Sequence, residues 1–348
     1  MTNECCALLR YSIGFAHGLE AWHPTCRSRR LPTPAFATTR LLSSTEFVRV
    51  AQTSVRAQVQ HIFTVDVEEY FHVGAFESVV SRKDWSSYPS RLDASIELLL
   101  DLLARHGATG TFFTLGWIAD HHPRVVRRIA QAGHEIASHG YWHRRVDSLA
   151  PEEFRQDVRS SRAVLEDVCG TRVTGFRAPN FSIRPGCEWA FDVLIEEGYH
   201  YDSSLFPIRR PGYGYRAAPI VPHIIHRTSG SLCELPLATT ALYGARIPAA
   251  GGAYLRHFPF GIIRRCMQEH SDSGIPATFY LHPWELDPDQ PRLPVNWITR
   301  GRHYGGLSRT LPRLEQLFAE FPFVSVSRCL KLPNLPIRSI GPRISVAD

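Results

Sequence analysis

Glu135-Ile136-Ala137-Ser138-His139-Gly140-Tyr141-Trp142-His143 is the stretch on which the reading of this chain turns. A short apolar run at 135–137 reads as a strand and hands over to a glycine-bearing turn with histidines at 139 and 143. Two histidines four apart can face one metal ion from a single turn, and neutral imidazole is the commonest protein ligand for zinc. A pair of polar surface histidines would look the same in isolation. What decides between them is the rest of the chain, where other strands also end in polar groups.

Upstream, His61-Ile62-Phe63-Thr64-Val65-Asp66 is a β-rich apolar run ending in acid, followed by Val67-Glu68-Glu69. On an extended chain 66 and 68 point the same way and 69 the other, so Asp66 and Glu68 share a face. Residues 91–106 place Ile96, Leu99, Leu100 and Leu103 on one helical face, closing at Gly107. Thr109–Leu115 reads as a strand, and 123–132 as a helix with Pro123 at its first position and Gly133 beyond its end. Downstream, Pro151-Glu152-Glu153 opens a helix running to about Cys169, with acids suitably placed in its first turn. Val173–Phe176 is a strand delivering Arg177-Ala178-Pro179-Asn180, and a helix at 188–197 leads to Asp202-Ser203-Ser204. Strands alternating with helices predict parallel pairing through crossover helices, and polar groups collect at the strand ends, where barrel sites sit.

Past 205 the alternation loosens into a Pro-, Gly- and Arg-rich segment, with a short strand near Glu234 and a helix near 258–270. Ala277–Leu281 is an apolar strand ending in His282-Pro283-Trp284-Glu285, and a helix at 308–320 and a strand at 323–326 close the order. Residues 1–58 read as a disordered segment, 59–285 as the barrel (205–285 overlapping an extension), 286–330 as its completion and 331–348 as a tail.

Seven Arg and three Glu in residues 1–60 account for +4 of the formal charge of +6, leaving +2 on the remaining 288 residues. No basic stripe with interleaved aromatics marks that part, so a nucleic-acid surface is not expected. No run approaches the ~20 apolar residues of a membrane span. The eight cysteines lack CxxC spacing, and the later ones read as buried free thiols. No signal-peptide pattern opens the chain, so a cytoplasmic location is the expectation, with a misassigned start as the alternative.

Taken together, Thr64-Val65-Asp66-Val67-Glu68, His139 to His143, Arg177-Ala178-Pro179, Asp202-Ser203-Ser204 and Leu281-His282-Pro283 resemble the polysaccharide deacetylases of carbohydrate esterase family four. The segments occur in that family's order. The phrase from Asp66 to Val73 and the region from about 205 to 330 are more particularly similar to exosortase-associated members, which are linked to exopolysaccharide clusters and carry an extra C-terminal region. The resemblance implies an α/β fold, the distorted, NodB-like (β/α) barrel of usually seven strands. It also implies a divalent metal, zinc or alternatively cobalt or another ion.

The implied ligands are Glu68, His139 and His143. Most members have two adjacent aspartates in the first motif; here the second position is Val67, which cannot ligate, and Glu68 takes its place in this reading. Asp66 would be the general base, held by Arg177, and His282 the general acid, oriented by Asp202. The backbone N–H of Asn180 would help hold the oxyanion, and Tyr141 and Trp284 would contribute to a sugar-binding groove. The implied activity is removal of acetyl from N-acetylated oligo- or polysaccharides of an exopolysaccharide or its precursor. A hydrolase of a small non-sugar amide and a metal-free carbohydrate-binding protein stay open beside it, the latter because of Val67.

Overall fold

The computed structural model describes residues 58–333 and 335–340; the segment expected to be disordered and the end of the expected tail lie outside the described residues. Twelve strands are described. They are β1 (His61–Val67), β2 (Thr111–Thr114), β3 (Glu135–Ser138), β4 (Gly175–Phe176), β5 (Tyr201–Asp202), β6 (His223–Arg227), β7 (Gly230–Glu234), β8 (Thr239–Leu242), β9 (Ala245–Pro248), β10 (Thr278–Leu281), β11 (Phe323–Val324) and β12 (Arg338–Ile340).

Seven of them, in the order β10-β1-β2-β3-β4-β5-β7, pair in parallel throughout. Past Glu234 the chain bridges Leu237 to Thr278 of β10, so the two ends of the path meet through a single parallel bridge. The outcome is a distorted seven-stranded α/β barrel. Every residue of β1, β2 and β10 is buried, which is why these strands read as continuous rather than alternating apolar runs.

Helices cover the outside. Leu92–Arg105 buries Ile96, Leu99, Leu100 and Leu103, the face expected from their spacing. Pro151–Cys169 starts with proline, its Glu153 side chain accepts the Ala150 N–H at 2.9 Å, and it stops at Gly170 in the left-handed region (φ 68°). Inside, Phe63, Phe279, Phe318 and Phe323 form an interlocking aromatic cluster, Phe63 and Phe318 meeting edge to face at 4.9 Å.

The C-terminal part departs from the sequence reading in three places. The helix expected at 258–270 runs Phe260–Ser273, and an unexpected short one, Ala253–His257, precedes it, kept separate by Pro259, which cannot donate a backbone hydrogen bond. Only Phe323–Val324 is strand, pairing with the start of β1, and Val326–Cys329 coils because the Ser325 hydroxyl caps a new turn. Residues 338–340, inside the expected tail, form β12 alongside β6. Cys233, Cys266 and Cys329 are buried free thiols. Among the described residues no helix is long and apolar enough to cross a membrane.

Candidate metal centre

Residues from the C-terminal ends of four barrel strands converge on one pocket of about 480 Å³. Asp66 and Glu68 come from the end of β1, and His139 directly follows β3. Arg177 directly follows β4, and His282 follows β10. Val67, between the two acids, is wholly buried in the core, as strand alternation requires.

Glu68, His139 and His143 each offer a ligand atom, all within 4.8 Å of one another, and all three side chains are buried. His139 donates its Nδ1–H to the Arg177 carbonyl at 2.9 Å, which leaves the Nε2 lone pair free. Burial holds this imidazole down at about 4, hence neutral at pH 7, despite the opposing charge of Asp66. His143, held in a left-handed conformation (φ 50°), lies 2.8 Å from Glu68, Nε2 to Oε2. Burial alone would raise the Glu68 carboxyl, but the imidazoles of His143, His282 and His139 outweigh it and hold the group well below the usual carboxylate range. Glu68 Oε2 has only the His143 imidazole beside it, and His143 Nδ1 is buried with no hydrogen-bond partner. An ionised carboxylate and an orphaned buried imidazole nitrogen are what a divalent cation would satisfy, so these residues fit the implied metal.

Arg177 is wholly buried and meets Asp66 through Nη1 at 2.7 Å. Nη1 also donates to the Thr64 hydroxyl at 2.8 Å, and the other two nitrogens go to Ser203, Nε to the carbonyl at 2.9 Å and Nη2 to the hydroxyl at 2.8 Å. One guanidinium thus ties the end of β1 to the loop after β5. On the far side, His282 Nε2 stands 3.4 Å from Glu68 and 3.9 Å from Asp66. Burial would lower its imidazole, but the hydrogen bond to Glu285 and the charges of Glu68, Glu285 and Asp66 together raise it to about 9. His282 is therefore a proton donor at neutral pH.

The sequence reading of Asp202 does not survive. Its carboxylate is wholly buried and accepts from Ser204, the hydroxyl at 2.6 Å and the N–H at 3.2 Å, with Glu234 as its other partner. The acid that holds His282 is Glu285, whose Oε2 accepts the His282 N–H at 3.1 Å and lies 3.3 Å from Nδ1. His282 caps the short Pro283–Leu286 turn and Glu285 is its third residue, a reciprocal capping arrangement. That i, i+3 spacing was visible in His282-Pro283-Trp284-Glu285. Arg256, also wholly buried, pins Glu285 through Nε at 3.0 Å.

Two aromatic assignments also change. Trp284 lines the pocket but offers no open face, because His282 stacks on it at 5.0 Å and His303 at 4.2 Å. Its indole N–H donates to Glu68 Oε1 at 3.2 Å, so it orients a ligand rather than a sugar. Tyr141 is not among the pocket-lining residues; its hydroxyl bonds Asp120, and its ring packs where a Gly116 side chain would be. Asn180 does line the pocket, in a left-handed turn (φ 56°) with Phe181 (φ 50°). Such conformations are costly for non-glycine residues and cluster at working sites. The Asn180 N–H makes no backbone hydrogen bond among the described residues.

Residues 88–187 match the family model for polysaccharide deacetylase, and residues 203–331 match a domain of unknown function, DUF3473. Over 87 residues, 25% of this chain, the sequence is 37% identical to a peptidoglycan-N-acetylglucosamine deacetylase of Bacillus cereus. Over 80 residues, 23% of the chain, it is 35% identical to a chitooligosaccharide deacetylase of Azorhizobium caulinodans. These matches span only 29% and 38% of the two relatives. The crystal structure of a Mycobacterium smegmatis protein assigned to the polysaccharide deacetylases superposes with a TM-score of 0.52 at 20% identity. That likeness, one of fold, covers 78% of this chain and 89% of the other. Residues 88–187 are thus similar to the polysaccharide deacetylases, and the α/β fold is that of a solved protein assigned to them.

Proposed function

We propose that the protein is a metal-dependent hydrolase removing acetyl groups from N-acetylated sugars of an exopolysaccharide or its precursor. The observation that carries this reading is the meeting of Glu68, His139 and His143 beside an Arg-anchored Asp66, with a protonated His282 opposite. A divalent ion held by the three ligands would supply Lewis acidity toward the acyl oxygen and lower the pKa of water. Asp66 takes the proton from the attacking water, and Arg177 holds its carboxylate in place. His282 gives its proton to the departing amine nitrogen, without which an amide cannot be expelled at neutral pH. The Asn180 N–H, left out of the backbone bonding of its own turn, would donate to the developing oxyanion. The exopolysaccharide context rests on the resemblance of the phrase from Asp66 to Val73, and of the region from about 205 to 330, to exosortase-associated members.

The test is the metal content of purified wild type beside Glu68→Ala, together with acetate release from chito-oligosaccharides. About one equivalent of zinc or cobalt in the wild type and little in the variant is expected. Metal retained by Glu68→Ala would move the third ligand elsewhere. A wild type that takes up neither ion on soaking would leave a carbohydrate-binding protein and remove the hydrolytic mechanism.

A further inference from the structure

The side wall of the pocket is continuous. At Gly74 an added Cβ would lie 2.8 Å from the Asn180 amide, so the turn after β1 abuts the Asn180 turn. From there Ser182 accepts the Val146 N–H at 2.9 Å, which joins that turn to the loop after His143. Arg145 then reaches over to donate to the Gly212 carbonyl at 2.6 Å, while Asp147 holds its guanidinium from behind. Next, the hydroxyls of Tyr213 and Tyr254 bond each other, linking the 211–213 loop to the helix Ala253–His257. That helix is tied to Trp297–Tyr304 by His257, which donates to the Arg302 carbonyl at 3.1 Å, and by Arg256, which donates to that of His303 at 2.6 Å. The circuit returns to its start where the His303 ring packs on Phe76 at 4.5 Å. Half of this circuit comes from residues 203–331.

A polymer cleaved or modified along its length needs a groove open at both ends, so that sugars on either side of the reacting one can run out. Here each pair of neighbouring wall segments is joined, and the space they ring, about 480 Å³, is the size of a small-molecule pocket. We infer that the protein deacetylates a terminal or single N-acetylated sugar entering end-on, and not the interior residues of a long polysaccharide. The inference rests on the deacetylase reading. The 203–331 segment is then the element that restricts the substrate to chain ends.

The experiment uses metal-loaded full-length protein and N-acetylchitopentaose reduced with borodeuteride to mark one end. The partly deacetylated products are sequenced by tandem mass spectrometry. Loss of acetyl confined to one terminal residue is expected, with a preference of at least about tenfold over internal positions. Internal deacetylation at comparable rates would overturn the inference while leaving the deacetylase reading intact. No acetate from the pentamer or from N-acetylglucosamine would overturn that reading, and this inference with it. In Arg145→Ala, which frees the Gly212 carbonyl, the internal share is expected to rise severalfold; an unchanged pattern would show that the wall is not what restricts the substrate.

Discussion

Two pairs of buried carboxylates flank Arg177, and they have opposite electrical characters. Asp66 and Glu68 sit among a guanidinium, three imidazoles and an indole N–H. Asp202 and Glu234, both wholly buried, have only Ser204, the Leu205 N–H and each other. Burial raises Asp202 to about 6 against the hydrogen bonds it accepts; burial and the charge of Asp202 push Glu234 well above the usual carboxylate range. The second pair therefore holds a proton at neutral pH, as two carboxyls sharing one dry site must. Ser203 decides which pair is which, because its carbonyl and hydroxyl occupy two arms of Arg177 and leave the third for Asp66. Residue type alone does not assign a role to an acid at a strand end; its neighbours do.

The largest expected effect tests that contrast directly. Asp66→Asn should lower turnover by about 10²–10⁴-fold while the metal stays bound, whereas Asp202→Asn should stay within a few-fold of wild type. Equal losses in steady-state kcat would break the comparison. A middle-sized effect is expected at Glu285, which holds the His282 imidazole. Glu285→Gln should cost about 10–100-fold in kcat on N-acetyl amides with little change in KM. It should spare 4-nitrophenyl acetate, whose leaving group needs no proton. A parallel loss on both substrates would reduce Glu285 to a packing role.

The smallest effect is on stability. A carboxyl raised in the folded state lends stability below its unfolded value, near 4, and loses it as pH rises through the folded one. For Asp202 that window reaches about 6, and for Glu234 it extends further. The melting temperature of the wild type should therefore fall between pH 5 and pH 8 through this pair. Glu234→Gln should flatten that fall by about 2–4 °C, each such step reflecting ~1 kcal/mol. A variant with the wild-type slope would mean that the pair is not protonated.

The barrel was legible because its strands are buried on both faces and read as unbroken apolar runs between amphipathic helices. Six residues of the candidate site were legible as neighbours too, since Asp66, Glu68, His139, His143, Arg177 and His282 each stand at a strand end in the line of sequence. Asp202 stands at a strand end as well, and one sequence cannot show that Ser203 and Ser204 turn its neighbours' hydrogen bonds away from the pocket. Trp284 and Tyr141 were misjudged for a related reason. Whether an aromatic ring is open to a ligand depends on what stacks upon it, and His303, which covers Trp284, lies 19 positions later in the chain. The enclosing wall was invisible because its ties are backbone carbonyls and ring packings between irregular segments.

The placement of β1 has a consequence for how the protein is made. Ile62 pairs on one side with Thr278, 216 positions away. At ribosomal speeds of about 5–20 residues per second, that edge of β1 goes without its partner for about 10–40 s after it is synthesised. An apolar strand edge exposed so long invites pairing with other nascent chains. Yield in a heterologous host should therefore respond to slower growth temperature and to chaperone supply more than to changes at the metal centre.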